Sequence, residues 1–92
     1  MHIVVAYDVP DDKRRGRIAD TLLDYGTRIQ ESVFECELPP DRFAKLKHRL
    51  SKLLKAQEDS VCIYHLCAAC RSRIERLGPC AEKYQQQQEM II

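Results

Sequence analysis

No apolar run in this 92-residue chain approaches the roughly 20 residues needed to cross a bilayer. The N-terminus opens directly on a strand-like segment, without the basic stretch and apolar run of an export signal. A cytoplasmic protein with no membrane partner is therefore expected. An excess of charge is missing too: the formal net charge is +1, so the average argues for neither nucleic acid nor an anionic membrane, and only the distribution of charge is informative. There is no Gly-rich phosphate loop and no catalytic triad, since His2, His48 and His65 are dispersed and Ser32 has no evident partner. The chain is too short for two domains. One domain over residues 1–80 is expected, followed by a tail over 81–92, KYQQQQEMII at its end, that is partly flexible or docks through Met90, Ile91 and Ile92. With 45% apolar and 32% charged residues, the rest has an ordinary globular balance.

Cysteines occur in an odd number, at 36, 62, 67, 70 and 80, and with no export signal reduced thiols are the default. His65, Cys67, Cys70 and Cys80 offer tetrahedral zinc ligands in principle, but only one CxxC is present, and small buried or loop thiols are the preferred assignment.

The pattern along the chain alternates between two periods. Ile3 to Tyr7 form a near-continuous β-favouring run of the kind found in a covered central strand. Pro10 ends it, Asp11 and Asp12 can cap a helix, and Ile18, Leu22 and Tyr25 then share a stripe that stops at Gly26. From Thr27 to Leu38 the period is two, as one bent strand or a hairpin at Ser32. After Pro39 and Pro40, Asp41 is expected to cap a second helix with a stripe of Phe43, Leu46, Leu50, Leu53 and Leu54. SVCIYHL at 60–66 reads as a strand, and a short strand-like piece follows at Ile74 to Leu77. This order predicts an α+β, ferredoxin-like sandwich, βαββαβ plus a short C-terminal strand, with both helices on one sheet face. A second copy is the simplest cover for the other face, giving a homodimer.

Two groups of residues carry potential chemistry. Asp8, at the carboxyl end of strand one, is either a turn aspartate before Pro10 or a Mg²⁺ ligand, a hard cation being held by one or two carboxylates with water and phosphate oxygens. A two-fold axis nearby would supply a second Asp8. Arg14, Arg15, Arg17 and Arg28 follow, and the second helix carries Arg42, Lys45, Lys47, Arg49, Lys52 and Lys55 with no acidic residue between Asp41 and Glu58. Such faces are either solvated or accept phosphate backbones, and the strands lack the paired aromatics of single-strand base readers. Backbone contact by Arg14, Arg15, Arg17, Arg28, Lys45, Arg49 and Lys52 is the expected mode. Tyr7 and Phe34 bracket the same region as core or site residues.

Tyr7-Asp8, the G-x-R-x-Q-x-SVFE stretch from Gly26 to Glu35 and the DSV-x-IY-x-L stretch from Asp59 to Leu66 together resemble the small CRISPR-associated adaptation protein, the "Cas-two" family, over most of residues 1–78. The resemblance implies a ferredoxin-like homodimer that acts in spacer acquisition with an integrase partner, and metal-dependent endonuclease activity on RNA or duplex DNA. Carried over, it implies Asp8 as the Mg²⁺ ligand, one ion shared by Asp8 of both chains, with Tyr7, Arg15, Arg17, Arg28 and Phe34 as further site residues. Members of the family often carry a cysteine pair after the IY-x-L strand, with no recognised role. Two other classes remain: a non-catalytic duplex-DNA adaptor in which Asp8 is dispensable, and a regulatory module for a small ligand or protein.

Overall fold

A computed structural model describes residues 1–81. The apolar run at the start forms strand β1 (His2–Asp8), and helix α1 (Asp12–Leu23) follows. The Asp11 carboxylate caps α1 by accepting the Arg14 N–H at 2.8 Å. Strands β2 (Thr27–Gln30) and β3 (Val33–Glu37) make a hairpin about Glu31-Ser32, then come helix α2 (Pro40–Leu53), strand β4 (Ser60–Leu66) and one further turn, α3 (Ala68–Arg71). The strands form one antiparallel sheet in the order β2-β3-β1-β4. This is the expected ferredoxin-like α+β arrangement.

Alternation along β1 explains the two layers. Ile3, Val5 and Tyr7 point into the core, where Ile18 and Leu22 of α1 and Leu46 and Leu50 of α2 meet Phe34 and Cys36 of β3. His2, Val4, Ala6 and Asp8 point to the other face of the sheet, opposite Leu66, Tyr64, Cys62 and Ser60 of β4.

Two local expectations are corrected. Asp41 lies in the first turn of α2, and Pro39 is the N-cap, with no side-chain hydrogen bond; Pro40 at N1 has no N–H to satisfy, so a capping side chain has less to do. Residues 74–77 form no strand among the described residues. Arg76 there reaches across to Glu35 of β3 through both terminal guanidinium nitrogens, Nη2 to Oε1 at 2.7 Å, which draws the segment over the open sheet face rather than along a strand edge. The tail residues Met90, Ile91 and Ile92 lie outside the described residues.

Candidate metal and nucleic-acid site

The loops at the carboxyl end of β1 are tied together by backbone carbonyls. The Tyr7 N–H donates to the Ser32 carbonyl at 3.1 Å, and the Tyr7 hydroxyl donates to the Glu31 carbonyl at 3.3 Å. That same carbonyl accepts Arg28 Nε at 3.1 Å and Nη2 at 2.7 Å. Arg15 Nη1 donates to the carbonyls of Val9 at 2.9 Å and Pro10 at 3.4 Å, and its Nη2 pairs with Asp12. The hairpin register slips between Arg28 and Gln30, the kind of bulge that redirects a side chain next to a site. Arg28 thereby lies with its guanidinium 5.7 Å from the centre of the Phe34 ring, which in turn stacks on Tyr7 at 6.3 Å.

Burial pushes the Tyr7 phenol above its ordinary pKa, and the charges of Arg28 and then Arg15 pull partly back. Tyr7, Arg15 and Arg28 thus share one electrostatic environment. Phe34 has no exposed surface and Tyr7 is almost wholly buried, so the Phe34 ring forms the floor beneath Arg28. Asp8 leaves the strand on the opposite face from Tyr7. Its carboxylate is exposed, makes no hydrogen bond or ion pair among the described residues, and has Ser60 as its cross-strand neighbour.

The other basic residues separate into three situations. Arg14 is held by the α2–β4 loop: Nε lies 2.5 Å and Nη2 2.9 Å from the Asp59 carboxylate, and Nη2 lies 3.0 Å from Glu58. These bonds push the Arg14 pKa up and hold the Asp59 carboxyl below its ordinary range, so phosphate would have to displace two carboxylates. Arg17 is exposed and has no such partner among the described residues. Lys45, Arg49 and Lys52 lie on the solvent side of α2, the far side of the molecule from Asp8. Arg49 Nη1 is 3.1 Å from Asp24, and the Tyr25 ring is flanked by Arg42 at 4.8 Å and Arg49 at 5.5 Å. A groove of about 470 Å³ is lined there by Tyr25, Ala44, Lys45, His48 and Arg49. The basic residues therefore make two surfaces rather than one.

Sequence reasoning missed a third cluster, on the open sheet face. Glu35 and Glu37 of β3 flank His2, whose Nε2 lies 3.1 Å from Glu35 and Nδ1 2.7 Å from Glu37. Arg76 completes the pairing of Glu35, and Arg71 sits 3.3 Å from Glu37. Only the spacing of Glu35 and Glu37, which puts them on one face of a strand, was a signal for it. No group of three His, Cys, Asp or Glu side chains is arranged for a metal ion among the described residues. His65, in particular, packs edge-on against Phe43 at 5.2 Å, on the core side of β4.

A four-stranded antiparallel sheet backed by two helices, with an exposed carboxylate and carbonyl-anchored arginines at the end of its first strand, defines a small ferredoxin-like α+β protein. The family model described as CRISPR associated protein Cas2 matches residues 1–74. The chain belongs to the Cas2 family. A Chloroflexus aurantiacus relative named "CRISPR-associated endoribonuclease Cas2 1" is 44% identical over 79 residues, 85% of each chain. One from Thermus thermophilus, "CRISPR-associated endoribonuclease Cas2", is 41% identical over 78 residues, covering 85% of this chain and 83% of its own. The crystal structure of Streptococcus pyogenes Cas2 at pH 6.5 superposes with a TM-score of 0.76 at 38% identity, over 85% of this chain and all of the other. A chain of a partial Cas6-RT-Cas1–Cas2 complex matches with a TM-score of 0.72 at 29% identity, over 83% of each.

Proposed function

We propose that the chain acts in the cytoplasm as a homodimeric CRISPR adaptation protein in spacer acquisition, together with an integrase partner, and that the dimer is a Mg²⁺-dependent endonuclease for RNA or duplex DNA. The observation that carries this reading is the exposed Asp8 carboxylate, without a competing cation among the described residues, at the strand end where Arg15 and Arg28 are anchored. Relatives named endoribonucleases and a matching chain in a Cas1–Cas2 complex support the activity and the partner.

A single carboxylate with a neighbouring serine hydroxyl suits a hard, oxygen-seeking cation but fills few of its positions, so the Asp8 of a second copy would complete the protein's share. When bound, the ion supplies positive charge to a phosphoryl oxygen and a more acidic water. The chain's own part is to bind and orient. Arg15 and Arg28 are fixed by main-chain carbonyls, and both present charge to a phosphate with little ordering left to do, the phosphate displacing Asp12 at Arg15. Phe34, stacked on Tyr7, supports Arg28 from beneath. Arg17 adds an exposed positive charge on α1.

A second reading, the non-catalytic duplex-DNA adaptor, is favoured by the α2 surface, where Lys45 and Lys52 carry unpaired charge among the described residues. Asp8→Ala separates the two. Mg²⁺-dependent cleavage should fall to background while integration with the partner persists; cleavage unchanged in the variant would refute Asp8 as a metal ligand. Integration unchanged in the variant, with no cleavage by the parent protein, would favour the adaptor in which Asp8 is dispensable.

A further inference from the structure

The five thiols occupy very different environments. Cys36 lies in the core, where burial and then the Glu35 charge push its pKa up to about 11, leaving it unreactive near neutrality. Cys80 donates to the Leu77 carbonyl at 3.2 Å, and Cys62 stands on β4 facing Ala6. Cys67 and Cys70 are exposed and belong to one tight turn. The Arg71 N–H closes that turn on the Cys67 carbonyl at 2.9 Å, and the Cys70 N–H points at Cys67 Sγ from 3.5 Å. The Cys67 sulfur thus lies folded back over the turn from which Cys70 projects, an approach compatible with the short span of a disulfide.

The two thiols are also electronically unlike. Hydrogen bonding from the Cys70 backbone, and then from its thiol, holds Cys67 below the ordinary thiol pKa, while the same contact raises Cys70. Cys67 is thus the more acidic thiol of the two, the division found between an attacking and a resolving cysteine. A third ligand that would make the pair a metal site is absent among the described residues.

We propose that Cys67 and Cys70 form a redox-active dithiol that exchanges with low-molecular-weight disulfides. The Cys67 thiolate attacks one sulfur of the oxidant's S–S bond, which breaks to release one thiolate and leaves Cys67 in a mixed disulfide. Cys70 then loses its proton to solvent, attacks Cys67 Sγ and expels the second thiolate. The pair gives up two electrons and two protons, and the oxidant is reduced to two thiols. The turn leads directly into Arg71, which contacts Glu37 and through it the His2 cluster, so the redox state of the pair is set beside the segment that Arg76 fastens over the open sheet face.

The test equilibrates the full chain in glutathione buffers of graded ratio, followed by acid quenching, alkylation and peptide mass mapping. The expected result is the joint disappearance of two of the five thiols with loss of two hydrogens, mapped to Cys67 and Cys70. Cys70→Ser should accumulate a stable glutathione adduct on Cys67, and Cys67→Ser should form no intrachain bond, whereas Cys62→Ser and Cys80→Ser should behave as the parent. Absence of the bond at every glutathione ratio, its mapping to Cys62 or Cys80, or failure of Cys70→Ser to trap the adduct would each overturn the proposal.

Discussion

The Glu35 carboxylate is the clearest case of a residue whose role is fixed by partners far away in the chain. It lies on β3, nearly buried, and burial alone would raise its pKa. The hydrogen bonds and charge of Arg76, and then those of His2, more than offset this and hold the carboxyl below its ordinary value of 4.5. A depressed folded-state pKa means stability that is fully present above the unfolded value and disappears as the pH falls through the folded one. Glu35→Gln should therefore cost about 1–3 kcal/mol near neutrality, where it removes the carboxylate that Arg76 and His2 share, and less near pH 3. Urea denaturation at both pH values checks this; an equal loss at both would remove the ionic explanation. None of this was legible in the sequence, because His2, Glu35 and Arg76 meet only once β1 and β3 are paired and the chain after α3 has turned back. Arg14 looked like a phosphate contact for the same reason: its carboxylate partner Asp59 is 45 positions away. Asp11, by contrast, caps a helix that begins at the next residue, and a contact that local was legible.

At the scale of elements, what the sequence encoded well was periodicity. The stripes of α1 and α2 and the alternation of β1 specify which faces meet, and Ile18, Leu22, Leu46 and Leu50 are buried as those stripes require. What periodicity lacks is tolerance. α1 ends at Leu23 with Asp24 as its C-cap, short of the expected stop at Gly26, and a Cβ at Gly26 would lie 2.3 Å from the Glu35 carbonyl oxygen and 2.5 Å from Cys36 Sγ, so this glycine is needed for the closeness of β3 rather than for the helix end. Gly26→Ala should cost about 1–3 kcal/mol, the range for overpacking, measured as a lower denaturation midpoint; a neutral variant would mean the turn moves away freely. The solvent face of α2 makes the complementary case, since its single sign was evident from sequence but its separation from Asp8 was not. Replacing Lys45, Arg49 and Lys52 with Glu should weaken duplex binding and flatten its dependence on log salt by about 2–3. Lys45 and Lys52 should contribute more than Arg49, which already engages Asp24. Unaltered binding and slope would exclude this face and leave the Arg15 and Arg28 end.

Taken as a whole molecule, the fold covers one face of its sheet with two helices and, among the described residues, leaves the other with only the segment anchored by Arg76. The uncovered part is apolar where β1 faces β4: Val4 opposite Tyr64 and Ala6 opposite Cys62, with Tyr64 about half exposed. Asp8 stands at the end of this same row. The proposed dimer would therefore use one surface for two purposes, burying the Val4–Tyr64 row and bringing two Asp8 carboxylates toward a common axis, as a self-complementary two-fold contact allows. The two purposes can be tested together. Tyr64→Glu puts a charge in the middle of the row without touching the helix-side core, so the fold should persist by circular dichroism while sedimentation shifts the protein toward monomer. If the metal site needs both copies, Mg²⁺-dependent cleavage should fall in step with the dimer fraction and recover at high protein concentration. A monomer that cleaves at the parent rate would show that one Asp8 suffices, and a variant that stays dimeric would place the interface on another surface.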